Sequence, residues 1–469
     1  MPTVEPTAEP TTEQATDRTA ATAGLSERLR NLPDAYVLLP EYTWTEDDVF
    51  ARDRAVVVGS GRFRWTGAAA DLPDGYADLP TVDLAGHALT PGLVDCHQHL
   101  AQTLGRPYAF GEPSEIFKRV WVPLEGALTE DELAVSARLG LVDAMLGGFT
   151  TVADAGARVD HDLGILADEA EETGVRLVLG RICHDRGPGA GDGDRAVADA
   201  GEHLARFTGD RVRGSVAVAT PEMAEPATLT RLAGLCREAG AVFQTHVNEH
   251  LAGVERTLLA TGRRPLGVME DAGAVGPWLL AAHATLLTPQ EKLLLARSGA
   301  AWSYNPVASA WKGNVIADAL SLLALGARTG LGTDGTRADG FRLMDAAETA
   351  QRFASAVEVG DPVAGGGTAW LRAATSAGAD AVGLGDVTGT VGAGYRADFL
   401  VLDLATPDFI RPVDLAWELV RLGHRDQIRA VATDGAARVV DGVPLCLDHA
   451  ALLDDAARAS SDACQRAGL

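Results

Sequence analysis

Between about residues 91 and 333 the chain repeats one pattern: a short apolar run, then a helix-length stretch with apolar positions every three or four residues. Eight such runs stand in order at 92–96, 150–155, 176–182, 212–218, 241–247, 279–284, 300–305 and 329–333. Runs apolar on both faces suit strands buried between layers, and strands alternating with helices predict a closed parallel (β/α)8 barrel, a TIM barrel. An open doubly wound sheet is the alternative. The two ends read differently. Runs at 35–39, 55–58 and 62–66 are short and β-rich, broken by Gly, Asp and Pro, and the same texture returns at 399–404, 428–433 and 437–440. Both ends are therefore expected to join in one small composite β-sandwich domain, residues 31–90 with 390–469, the latter carrying a terminal helix, around a barrel at 91–389. Residues 1–30 are rich in Thr, Ala, Glu and Pro and are expected to form a disordered tail, since they offer too little apolar surface to offset the entropy of ordering.

Composition narrows the class. With 46% hydrophobic and 22% charged residues the 469-residue chain has material for a large core. A net charge of −25 argues against nucleic acid or an anionic membrane as partner and leaves a small-molecule substrate. No apolar run reaches membrane-spanning length, and no basic, apolar leader opens the chain. The five cysteines are scattered, as in a reducing cytosol, so a cytoplasmic protein is expected, assembled as a homo-oligomer, dimer or higher.

Candidate chemistry falls where the barrel predicts it. Asp95-Cys96-His97-Gln98-His99 closes the first strand, and residues two apart on a strand point to one side, so His97 and His99 can share an ion. His246 ends the fifth strand, His283 the sixth and Asp334 the eighth. From His99 to His246 is 147 positions, about 37 per βα unit over four units, and His246 to His283 is another 37. This is an ordinary βα spacing, and barrel active sites lie at these strand ends. Each histidine alone reads as a core or surface residue; four histidines and an aspartate together read as a metal site. His87, His161, His184, His203, His424 and His449 have no such placement and read as structural. Gly330-Leu331-Gly332-Thr333-Asp334-Gly335 also spells a dinucleotide fingerprint, but it lies late in the chain and its Asp fits the metal set.

The run Leu89-Thr90-Pro91-Gly92-Leu93-Val94-Asp95-Cys96-His97-Gln98-His99 resembles the opening strand of the amidohydrolase superfamily. His246-Val247-Asn248-Glu249 resembles the HxxE motif of its cytosine, guanine and S-adenosylhomocysteine deaminase and chlorohydrolase branch. Ala282-His283-Ala284 with Leu287-Thr288, Gly332-Thr333-Asp334-Gly335, and Gly394-Tyr395-Arg396-Ala397-Asp398-Phe399 are similar to that branch's sixth strand, eighth strand and return to the flanking β-domain. The resemblance runs from about Val37 to Val443. It implies a hydrolytic deaminase of a small amino-substituted nitrogen heterocycle (purine, pyrimidine, pterin or triazine-like) that releases ammonia through a metal-bound hydroxide. Dechlorination, or opening of a cyclic amide or amidine on the same mononuclear site, is the alternative.

Many amidohydrolases bridge two metals with a carboxylated lysine on the fourth strand, but no lysine lies between Lys118 and Lys292. One divalent ion is therefore expected, zinc or else iron, held by His97, His99, His246 and Asp334. Asp334 is also expected to accept the water's proton, His283 to orient the water, and Glu249 to shuttle protons to ring nitrogen and leaving amine. His250 reads equally as site or surface. Gln102 completes HxHxxQ, which resembles guanine deaminases whose Gln contacts the base. Trp121, Glu125 and Asn305 are the other candidate substrate contacts, with Trp302 and Tyr304 as aromatics that serve packing or recognition. Asn305-Pro306-Val307-Ala308-Ser309 departs from the family's usual Ser-Asn after the proline.

Overall fold

In the computed structural model the described residues are 24–469, except 110, 113–115, 188–189, 357–359 and 361–365. All eight expected strands are present: Leu93–Gln98, Phe149–Asp154, Arg176–Ile182, Val212–Val218, Phe243–Val247, Leu279–His283, Ala301–Tyr304 and Arg328–Leu331. They run parallel in sequence order, the topology of a barrel and not of an open doubly wound sheet. The first and last strands meet through a parallel bridge between Gln98 and Asp334, with the Asp334 N–H donating to the His97 carbonyl at 2.7 Å. Closure thus occurs at the C-terminal rim, between residues that carry candidate ligands.

The terminal strands join in one nine-stranded sheet. Its seam pairs Phe399–Asp403 antiparallel with Thr81–Pro91, so the two ends of the chain share one ladder. Thr81–Pro91 is a long strand absent from the sequence-based set; its alternation is broken at Gly86, which takes φ 76. Buried Arg176 fastens this sheet to the barrel: its guanidinium meets Asp398 at 2.5 and 3.1 Å and also pairs with Asp434.

Two expectations at the ends change. Residues 1–23 of the expected tail lie outside the described residues, but 24–30 form a helix whose Leu25 and Leu29 are buried among Tyr36, Leu38 and Val56 of the sheet. Leucines four apart make one helical stripe, which suffices to dock a short helix. The terminal helix His449–Ala467 packs on the barrel helices Trp121–Ala127 and Glu130–Leu146 instead of extending the β-domain. Its buried stripe Leu452, Ala456, Ala459 and Ala463 is narrow and small, allowing close approach, and Ser460 Oγ donates to the Leu104 carbonyl at 2.7 Å. Among the described residues no helix is long and apolar enough to cross a membrane.

Candidate active site

The strand ends converge on a cavity of about 520 Å³. His99, His246 and Asp334 line its floor. Ligand atoms of His97, His99 and His246 lie within 4.8 Å of one another, as do those of His97, His283 and Asp334, although His97 and His283 do not themselves line the cavity. The sequence-predicted ligands are therefore together. His99 Nε2 faces His246 Nε2 at 3.2 Å and Asp334 Oδ1 at 3.6 Å. The Nε2 atoms of His97 and His283 are buried without a hydrogen-bond partner.

Several backbone features build this floor. Asn248, His283, Ala284 and Asp334 all take positive φ, at 49°, 68°, 49° and 58°, a conformation that costs non-glycine residues free energy and clusters at functional sites. The His283 carbonyl is held by Trp302 Nε1 at 2.9 Å, and its Nδ1 lies 3.3 Å from Asn305 Nδ2. His246 Nδ1 donates to the Ala219 carbonyl at 2.7 Å, which leaves its Nε2 lone pair aimed inward. Gly332 is required by close approach: a Cβ there would lie 2.5 Å from both Asn305 Oδ1 and Ser303 Oγ and 2.8 Å from His97 Cβ.

The electrostatics suit a cation. Burial pushes His99 and His283 down to about 3 and lowers His246 and His97, the latter well below its usual range, so all four rings are neutral ligands at pH 7. Burial opposes ionisation of Asp334 and Glu249, but the Lys312 ammonium between them, with His283 Nε2 close to each, holds both well below the carboxylate range. Neutral imidazoles with orphaned inward nitrogens and an ionised carboxylate are the donor set a divalent ion needs, so the residues fit a metal.

Glu249 stands against this floor, its Oε1 3.6 Å from His283 Nε2. Behind His97, Asp95 is fully buried and accepts from the N–H of His97 at 3.2 Å and of Thr333 at 2.9 Å, and burial pushes it up to about 7. Of the four expected substrate contacts, Gln102 and Trp121 line the cavity. Glu125 and Asn305 sit one layer back. Glu125 is fully buried and accepts from Gln102 Nε2 at 2.7 Å and from Arg158 N at 2.7 Å and Nη1 at 3.2 Å; Asn305 braces His283. Trp302 and Tyr304 are buried in the core, where they stack with ring centroids 5.2 Å apart.

Lys312, Arg158 and His184 are among the cavity residues that sequence reasoning missed. Lys312 pairs with Glu249 Oε1 at 2.8 Å and Asp334 Oδ2 at 2.6 Å. Arg158 and His184 also line the wall. His250 belongs to the site, its Nε2 3.2 Å from Glu249 Oε2. The only sequence signal for Lys312 was rarity, one of three lysines in the chain.

Residues 88–443 match the model of the amidohydrolase family. The chain belongs to that family. A relative from Halobacterium salinarum, named 5-methylthioadenosine/S-adenosylhomocysteine deaminase, is 30% identical over 458 residues, covering 95% of this chain and all of that protein. A protein of the same name from Desulforudis audaxviator is 28% identical over 409 residues, 86% of this chain and 93% of the relative. Among solved structures, a zinc-bound adenosine deaminase from Xanthomonas campestris superposes with a TM-score of 0.84 at 25% identity, over 92% of this chain and 98% of that one.

Proposed function

We propose that the protein is a metal-dependent hydrolytic deaminase of an amino-substituted nitrogen heterocycle, with purine bases and nucleosides as the favoured class. The observation that carries this reading is an ionised Glu249 held 3.6 Å from the donor cluster at the floor of the cavity. The names of the relatives support the substrate class, and the cavity volume lies within the usual range for small-molecule pockets.

In this reading His97, His99, His246 and Asp334 hold one ion, zinc by the preference of a His3Asp set. When bound, the metal supplies the Lewis acid that makes water nucleophilic at neutral pH. The chain supplies proton movement and orientation. Glu249 begins ionised, so it first takes a proton from the attacking water and delivers it to the ring nitrogen beside the attacked carbon. Ionised again, it takes the second proton from the hydroxyl added to that carbon and delivers it to the departing amine as the C–N bond breaks. His283, neutral and with Nε2 3.7 Å from Asp334 Oδ2, orients the attacking water. Gln102 contributes recognition: carboxylates only accept, so Glu125 fixes the Gln102 amide nitrogen, and the buried, unpartnered Oε1 is left to accept from substrate. Ile116, Phe117, Trp121, Val122 and Met223 give the remaining wall an apolar surface against a flat ring.

Assaying ammonia release over aminopurines, their nucleosides, aminopyrimidines, pterins and triazines tests this. Ammonia from at least one aminopurine or nucleoside is expected. Chloride or a ring-opened acid as the only product would assign the site to dechlorination or cyclic-amide hydrolysis.

A further inference from the structure

The proposed reaction gives Lys312 no task, although it touches two of the site's carboxylates. Lys312 is the last residue of the helix Pro306–Lys312, and its ammonium reaches into the cavity between two carboxylates, those of Glu249 and Asp334. Gly313 follows in the left-handed region at φ 64, which ends the helix; its N–H returns to the Ala310 carbonyl and that of Asn314 to Ser309. This tight end aims the side chains on both sides of the glycine at one atom, since Asn314 Nδ2 also meets Glu249 Oε1, at 3.4 Å. The other oxygen of Glu249 meets His250 Nε2, and His250 Nδ1 lies 3.1 Å from Asn314 Oδ1. Glu249 is thereby held on both oxygens by Lys312, Asn314 and His250.

A carboxylate this close to a His/Asp cluster is itself a good ligand for a divalent ion. Its own backbone does not prevent that, because Glu249 sits on the turn at the strand end, just after the strained Asn248. Bound to the ion, Glu249 would fill the coordination position that a catalytic site keeps open, and would no longer be free to carry a proton. An ammonium with three donors competes for it. Lys312 engages Glu249 Oε1 and Asp334 Oδ2 together, while Asp334 Oδ1 stays turned to His99.

We propose that the Lys312-Gly313-Asn314 turn is a clamp that keeps Glu249 off the metal and beside the substrate, with Lys312 its principal member and a positioning residue. The proposal rests on the reading of Glu249 as proton carrier, but its first test needs no substrate. The full chain is loaded with cobalt(II), whose visible d–d bands weaken as the number of ligands rises. Lys312→Met, close in length and uncharged, is expected to load cobalt and to show weaker bands than wild type. Lys312→Met/Glu249→Gln should return to the wild-type spectrum, because an amide is a far poorer ligand than a carboxylate. Lys312→Arg should stay near wild type. On the best substrate, Lys312→Met should lose at least about 10²-fold in kcat, as for removal of a general acid–base group, with KM nearly unchanged. A wild-type cobalt spectrum in Lys312→Met overturns the proposal. Loss of cobalt binding in both Lys312→Met and Lys312→Arg overturns it too, because the lysine would then serve Asp334 and the ion instead of restraining Glu249. If no substrate releases ammonia, deamination fails while the spectra still decide the clamp.

Discussion

Replacing Glu249 by Gln exchanges one carboxylate oxygen for an amide nitrogen with almost no change of shape. The surroundings tolerate it. An amide oxygen at the Oε1 position still accepts from Lys312 at 2.8 Å and Asn314 at 3.4 Å, and the new Nε2 faces His250 Nε2 at 3.2 Å. His250 Nε2 can accept there while its Nδ1 donates to Asn314 Oδ1, so no buried donor is stranded. Metal content and melting temperature should therefore stay near wild type. What the amide cannot do is carry a proton. General acid–base groups contribute ~10²–10⁴-fold, or about 3–5 kcal/mol of barrier, and two proton deliveries depend on this one carboxylate, so kcat should fall by at least that order. KM should move far less, because the lost interaction belongs to the transition state. Steady-state ammonia release, with metal content measured on the same preparation, is the assay. Near-wild-type turnover in a metal-loaded variant would refute the proton-carrier role and leave plain metal-assisted hydrolysis.

Other expectations follow from single observations. His97→Ala removes one ligand of four and should abolish stoichiometric zinc binding, checked by elemental analysis after dialysis. Gly332→Ala forces a Cβ to within 2.5 Å of Asn305 and Ser303 and should cost about 1–3 kcal/mol by urea unfolding, with loss of activity as His97 is displaced. Arg176→Met strands Asp398 in the barrel–sheet seam and should destabilise by about 3–5 kcal/mol, the usual result of breaking a buried pair from one side. For metal-free protein, His99 and His283 are held neutral down to about 3 in the fold, whereas in the unfolded chain they take protons near 6.5. The unfolded state then binds more protons at these sites between those values. Asp95 and Asp154, raised by burial to about 7, act the opposite way, but the lowered His97 and His246 add to the histidine side, so the melting temperature should fall as pH drops from 7 towards 4. A flat profile over that window would contradict the neutral assignment.

The barrel was legible because its signals are local. His97 and His99 share a face by the two-residue period of a strand, and His246, His283 and Asp334 repeat at the spacing of βα units. The helix at 24–30 was hidden by the polar stretch before it, although Leu25 and Leu29 already spell a docking stripe. No strand was expected at 81–91, where Gly86 interrupts the alternation, yet this strand carries the seam between the two ends of the chain. At the site, what escaped was second-layer placement. Gln102, Glu125 and Arg158 come from three separate segments, and nothing in their spacing says that Glu125 faces Gln102 and Arg158 instead of the cavity. Lys312 escaped for a related reason. It lies beyond the seventh strand on a short helix whose sequence departs from the family pattern, and only the left-handed turn at Gly313 aims it inward.

The central claim is that one ion in the His/Asp cluster makes this chain a deaminase. Metal-stripped protein titrated with zinc, with ammonia release from aminopurines and their nucleosides measured at each addition, tests it most directly. Activity should be absent without metal, rise linearly, and saturate at about one zinc per chain, as expected for a single His3Asp site. Saturation at two per chain, or a fully loaded protein that releases no ammonia from any of these compounds, would contradict it.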